Sequence, residues 1–209
     1  GFDDWQLALR RENQRRKEID RLSFKTQYLC GLCELAHIED CIELWQHLAE
    51  NKTCLTEYLG LTREEHETFL QKGGDALGAL LEPQRRKQRF VLYQLELDEQ
   101  KAIPFAFKEL AALQKAGYEQ PPAAMYRMVG AGEIYCPVEQ SDAEILKRLF
   151  ADCREELPEG CHGRPMALSD VVELDHSPRR VYYYVNGEHE FPQVKFSPML
   201  AKKDIKEGT

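Results

Sequence analysis

The hydrophobic periodicity predicts an α+β fold. An all-helical N-terminal region is followed by a small β-α-β-α-β-β-β domain with a mostly antiparallel sheet. Three observations carry this reading. Up to Leu81 the apolar residues recur at three- and four-residue steps. From Phe90 onward, runs such as Phe90-Val91-Leu92-Tyr93-Gln94-Leu95 and Val181-Tyr182-Tyr183-Tyr184-Val185 are rich in β-branched and aromatic residues. Between the two lies Pro83-Gln84-Arg85-Arg86-Lys87-Gln88-Arg89, a basic polar stretch that reads as a linker. The expected division is 1–83, 84–200 and a charged, frayed tail at 201–209.

Asp3 to Gln27 contains neither Pro nor Gly and alternates cations with acids, so a helix is expected. Trp5, Leu7 and Leu9 give it an apolar start, and its middle is polar. Tyr28 to Leu81 continues as helices. Leu32, Leu35, Ile38, Ile42, Leu44, Trp45 and Leu48 are expected on a buried face. A short helix ends at Gly60. Thr62 and Glu65 have the spacing of a capping box for the next helix, which ends at Gly73-Gly74. Asp75 is expected to cap a last turn through Leu81.

In the second half, strands are expected at Phe90–Leu97, Met125–Tyr135, Val171–Leu174, Val181–Val185 and Phe191–Phe196. A helix is expected over Phe105–Ala116 with Phe107, Leu110 and Leu113 inward. Ser141 caps another, which faces the core with Ile145, Leu146, Leu149 and Phe150. Asn186-Gly187 is a hairpin signal.

Composition narrows the functional classes. The formal net charge of −8 argues against a general nucleic-acid coat. No stretch approaches the ~20 apolar residues of a membrane span. Gly1-Phe2-Asp3-Asp4-Trp5 lacks the basic start and apolar core of a signal peptide. Because the first residue is not Met, a native start upstream of Gly1 is left open. Seven cysteines without an export signal read as reduced thiols of a cytoplasmic protein.

Ordered motifs in the second half resemble one family. They are Val91-Leu92-Tyr93-Gln94-Leu95, Phe107-Lys108-Glu109-Leu110 with Leu113-Gln114-Lys115-Ala116-Gly117, and Tyr126-Arg127-Met128-Val129 with Gly132-Glu133-Ile134. Leu146-Lys147-Arg148-Leu149-Phe150 follows. The most specific piece is Gly163-Arg164-Pro165-Met166-Ala167-Leu168-Ser169-Asp170-Val171-Val172, and Val181–Val185 comes after it. This set resembles the YodL-like domain, found in proteins of conjugative elements and phages of Gram-positive bacteria, over roughly residues 89 to 197. Ala167 stands where a polar or β-branched residue is common, and Glu155–Glu159 differs from the usual loop. The resemblance implies no enzymatic activity. It implies an interaction module of a mobile element that aids the element's establishment in its host.

Each chemical constellation has a plainer alternative. Cys30-Gly31-Leu32-Cys33 with Cys41, Cys54, His37 and His47 offers zinc a ligand set. Cys33, His37 and Cys41 also fall on a helical stripe with Leu44 and Leu48, where cysteines act as small hydrophobes. Cys161-His162 with Asp170 or Asp175 mimics a thiol–imidazole–carboxylate set, but adjacent residues rarely point at each other. His176, His189, Glu173 and Glu188 could meet across a hairpin, and Tyr182, Tyr183 and Tyr184 could stack on bases. The expectation is no catalytic residue, no cofactor, no metal, no membrane and a protein partner. The alternative is nucleic-acid binding through Arg10, Arg11, Arg15, Arg16, Lys17 and Arg21 with Arg85, Arg86 and Lys87 of the linker. Leu168, Ser169, Asp170, Val171 and Val172 are read as structural: Leu168 inward, Ser169 or Asp170 tethering loop amides, and a valine in the sheet core.

Overall fold

The computed structural model describes residues 1–48, 50 and 53–203. The chain divides into two compact units. One comprises residues 1–87 with 135–139, the other 88–134 with 140–209.

The first unit is built of helices α1 (Phe2–Asp20), α2 (Phe24–Leu29), α3 (His37–Gln46), α4 (Leu55–Leu59), α5 (Arg63–Lys72) and α6 (Gly74–Leu81). The single helix expected to Gln27 is two. Ser23 Oγ accepts the Thr26 amide at 3.2 Å and starts α2 afresh, ending α1 early. None of the residues of α1 is buried. Phe24, Tyr28, Leu29, Ile38, Leu59, Leu77 and Leu81 form the core. The stripe expected on α3 is only half used: Ile38 and Cys41 are buried, whereas Leu44 is 57% exposed and Leu48 is exposed as well. Cys30 closes α2 and Cys33 lies in the turn before α3, so Cys33, His37 and Cys41 do not share a helical stripe. Gly73, not Asp75, stands at the start of α6.

The capping box at Thr62 forms. Thr62 Oγ1 accepts the Glu65 amide, and Glu65 Oε1 accepts the Thr62 amide at 2.8 Å. Glu65 is buried and reaches further. Its carboxylate takes Lys25 Nζ at 2.9 Å and Gln84 Nε2 at 2.7 Å. A local helix start thereby becomes the tie between α2, α5 and the end of α6. Burial opposes the charge on Glu65, but donors from Thr62, Gln84 and Lys25 outweigh it and hold the carboxyl below its usual range.

The linker expected at 83–89 is a short turn at Glu82–Gln84 followed by strand β1 (Arg85–Leu95). Its cations are accommodated individually. The Arg85 guanidinium lies between the rings of Tyr28 and Tyr135, 4.3 and 4.2 Å from their centroids, and pairs with Glu82 at 3.0 Å.

The second unit adds α7 (Leu110–Lys115), β2 (Tyr126–Pro137), α8 (Asp142–Cys153), β3 (Val171–His176), β4 (Arg179–Tyr184) and β5 (Gln193–Val194). The strand order is β2-β1-β3-β4-β5. The register pairs Tyr93 with Val171, Val171 with Tyr184, and Tyr182 with Val194, all antiparallel. Val91, Tyr93, Leu95, Val171 and Tyr184 thus share one face, covered by Leu113 of α7, Tyr126 and Phe196. On the other face, His176 and Tyr183 both bond the Asp142 carboxylate at the start of α8. Ile145, Leu146 and Leu149 of α8 are buried.

Further boundaries depart from expectation, among them the strand expected over Phe191–Phe196, which is only Gln193–Val194. The helix expected from Phe105 begins at Leu110, because Ile103–Phe105 forms a 3-10 turn and Phe107 takes φ +60°. Phe107 is therefore 50% exposed instead of inward. The tail expected to fray from 201 is paired at Lys202, whose amide donates to Tyr126 O while its carbonyl accepts from Met128. Residues 204–209 lie outside the described residues.

Glu65→Ala leaves the Thr62 amide, Lys25 and Gln84 without their acceptor. Unfolding stability should fall by about 1–3 kcal/mol, read by chemical denaturation. Glu65→Gln, which keeps the acceptor and removes the charge, should lose less.

Candidate functional site

The polar groups of the second unit converge on the segment 160–170 that leads into β3. In the register Leu92 faces Val172. Gln94 lies two residues further along β1 and Asp170 two residues before Val172, so both project from the same face of the sheet. There Gln94 Nε2 donates to Asp170 Oδ2 at 3.0 Å and to Arg164 O at 2.8 Å, while Gln94 Oε1 accepts the Arg164 amide at 2.9 Å. The Gln94 amide thus does for Arg164 what a neighbouring strand's backbone would do. The Arg164 guanidinium adds a bond to Leu95 O at 2.9 Å. Gly163 permits this approach, since a Cβ there would meet Gln94 Oε1 and lie 2.8 Å from Val129 Cβ.

Asp170 closes the loop on itself. Its Oδ2 also accepts the Ala167 amide at 3.0 Å. Its own backbone completes the join to β4, with Val185 N donating to Asp170 O at 2.8 Å and Ser169 N to Val185 O at 3.0 Å. Asp170 is 1% exposed. Burial is the largest influence on its carboxyl and outweighs the Ala167 amide, Gln94 and Arg164, so it is pushed up to about 7.

Ser169 carries the effect outward. Its backbone is left-handed at φ +81°. Its carbonyl accepts the Tyr126 hydroxyl at 2.7 Å, and its Oγ accepts the Phe107 amide at 3.2 Å. Two non-glycine residues with positive φ therefore hold each other. The Tyr184 hydroxyl fixes Lys108 O at 2.7 Å, and Asn186 Oδ1 takes the Leu110 amide at 2.8 Å. Phe107 is presented to solvent with the Arg164 guanidinium 5.8 Å from its ring centroid.

The family model of the YodL-like domain matches residues 89–196, just over half of the chain. The chain belongs to the YodL-like domain family. Among curated proteins and among solved structures, no match was found. The Gln94, Arg164, Ser169 and Asp170 cluster lies wholly inside the matched YodL-like segment.

Within the YodL-like domain, Ser169, Asp170, Val171 and Val172 are buried and Leu168 is half-buried. Cys161 is half-buried, packed where a Cβ on Gly130 would stand, and His162 is exposed. Asp170 is committed to Gln94 and Ala167, and Asp175 to Ser177, so the thiol, imidazole and carboxylate are not assembled. Glu173 accepts from Tyr182 and Tyr93, Glu188 from Arg154, and His176 bonds Asp142, which separates the groups read as a hairpin metal set. The hydroxyls of Tyr182, Tyr183 and Tyr184 are bonded to Glu173, Asp142 and Lys108 O.

Outside the domain, Arg10, Arg11, Arg15 and Arg16 are exposed on α1, with Arg16 bonding Glu12 at 2.8 Å, and Lys17 and Arg21 are exposed beside them. Arg85 is 15% exposed at its side chain, and Arg86 is half-buried with Nε directed at Val138 O. Of the thiols weighed for zinc, Cys30 and Cys41 are buried, Cys33 is intermediate and Cys54 exposed. Burial pushes the Cys33 thiol up to about 11 and raises that of Cys41, against the thiolate that zinc requires. Among the described residues, no three His, Cys, Asp or Glu side chains stand close enough to hold a metal ion. No helix among them is long and apolar enough to cross a membrane.

Sequence reading missed Gln94, Arg164 and Phe107 as parts of one site. The signal for Gln94 was present: an amide on the strand face that also carries Phe90 and Leu92 needs a buried partner.

The pH dependence follows from the raised Asp170 carboxyl. Between its ordinary 3.8 and about 7 the folded state keeps a proton that the unfolded chain has released. This group's contribution to stability is therefore full at low pH and lost as pH rises towards neutrality. Asp170→Asn mimics the protonated acid and removes the titration. Its melting temperature minus that of wild type should grow more positive from pH 4 to 7, and a flat difference would refute the assignment. Asp170→Ala, which strands the Ala167 and Gln94 donors and also removes the titration, should lose about 1–3 kcal/mol at about pH 4, with the deficit shrinking as pH rises towards neutrality.

Proposed function

We propose that this chain is a non-enzymatic protein-interaction module of a conjugative element or phage. It acts in the host cytoplasm and aids establishment of the element. The observation that carries the reading is the presentation of Phe107: an exposed aromatic ring on a left-handed backbone, held by the Ser169 hydroxyl and flanked by Arg164. Aromatic and arginine side chains are the usual anchors of protein interfaces, and pre-organisation lowers the cost of ordering them on binding. The polar groups beneath are turned inward to hold the loop. None of the seven cysteines is joined in a disulfide, in keeping with a reducing compartment. The mobile-element setting rests on membership of the YodL-like family.

A second reading, nucleic-acid binding, draws on the exposed cations of α1. It requires affinity for DNA or RNA that falls steeply with salt.

A photo-crosslinking residue at position 107, expressed in a Gram-positive host, should join the chain to one discrete protein. Phe107→Ala should lower affinity for that protein at least about tenfold without lowering the melting temperature. Crosslinks to nucleic acid, or turnover of a small molecule by the purified chain that persists in the Phe107 variant, would replace the protein-partner reading.

A further inference from the structure

The helical unit exposes two apolar surfaces that suit each other. The first is on α1, where Phe2, Trp5 and Leu9 follow the i, i+3, i+7 spacing of one helix face. Phe2 is 71% and Trp5 62% exposed. Immediately after them, residues 10–17 carry five cations against the single acid Glu12. The second is a cavity of about 270 Å³ between the end of α1 and helices α2, α3 and α4, walled by Leu22, Phe24, Leu44 and Tyr58. Leu44 and Leu48 are the part of the α3 stripe that the unit's own core leaves uncovered. The rim is acidic. Asp20 and Glu57 border the cavity, and Glu34 and Asp40 border the adjoining depression that shares Asp20, Gln27 and His37 with it. Facing these four carboxylates stand Arg21, Arg16, which is already bonded to Glu12, and His37, whose Nδ1 lies 3.3 Å from Asp40.

We propose that the Phe2–Trp5–Leu9 stripe of α1 docks in the Leu22–Leu44 groove of a second copy of this chain, with the Arg-rich segment behind it meeting the acidic rim. The same chain's helix cannot reach. Asp20 lines the groove and ends α1. At 1.5 Å per residue the stripe begins roughly 17 Å away and runs further from it. A two-fold exchange satisfies both copies at once: each α1 covers the other's groove, and no apolar surface is left to propagate a filament. The inference goes beyond the partner reading of the YodL-like domain and does not depend on it, since all its residues lie in the helical unit.

Sedimentation equilibrium of the full chain tests it. The expected result is a concentration-dependent dimer whose dissociation constant rises with salt. Phe2→Ala with Trp5→Ala should weaken it at least about tenfold, and so should Leu44→Glu alone. Both sites are exposed, and circular dichroism should show unchanged folding. Mixing the two variants should restore association. A mixed pair retains one intact contact, the α1 stripe of the Leu44→Glu chain in the groove of the other. A monomer up to about 1 mM, at the weak limit of specific association, would overturn the proposal. So would a dimer indifferent to Leu44→Glu, which would signify α1 pairing with α1, or a mixture that stays monomeric.

Discussion

The burial of one carboxyl group, that of Asp170, organises the YodL-like domain. A carboxyl withdrawn from water must find donors or keep its proton. Asp170 does some of each: the Ala167 amide and Gln94 serve it, yet burial still dominates. Around it the loop loses its freedom. Gln94 ties Arg164 to β1, Val185 ties Asp170 to β4, and Ser169 ties the Phe107 turn. Removing the carboxyl would release more than one bond, because each tether presupposes the path of the loop set by the others.

The helical unit depends on a buried acid too, resolved the opposite way. Glu65 is met by the Lys25 ammonium as well as by neutral donors, and its charged form is favoured. Asp170 has neutral donors in direct contact, while Arg164 spends its guanidinium on Leu95 O and acts on the carboxyl through space. The two groups thus respond to acid in opposite senses: protonation weakens the ties of Glu65 and relieves the desolvation of Asp170. Next to Asp170, the Phe107 amide donates to Ser169 Oγ, so the loop that carries the buried acid is tied to the exposed Phe107 turn.

What was legible in the sequence was local or periodic. The Thr62–Glu65 box, the Ser141 cap and the β-branched and aromatic runs at Val171 and Tyr184 each need only a few neighbouring residues, and the helix-then-sheet order follows from the change of period. What was not legible depended on partners far along the chain. Arg85 and Lys87 read as linker because nothing nearby shows that Arg85 will lie against the rings of Tyr28 and Tyr135 and Lys87 Nζ over that of Tyr135. Phe107 read as a core helix residue because its amide partner, Ser169, is 62 residues away. In the candidate site, Ser169 and Asp170 stood out as short polar residues before a strand, whereas Gln94 was hidden inside an apolar run.

The most direct measurement is a carbon-detected NMR titration of the Asp170 carboxyl in the folded chain, followed together with the amide signals of Ala167 and Phe107. If the Asp170 carboxyl holds the loop and the Phe107 turn together, its midpoint lies near 7 and both amides move on the same curve, Ala167 through its direct bond and Phe107 through Ser169. A midpoint at the ordinary 3.8, or a Phe107 amide that ignores the Asp170 transition, would contradict it.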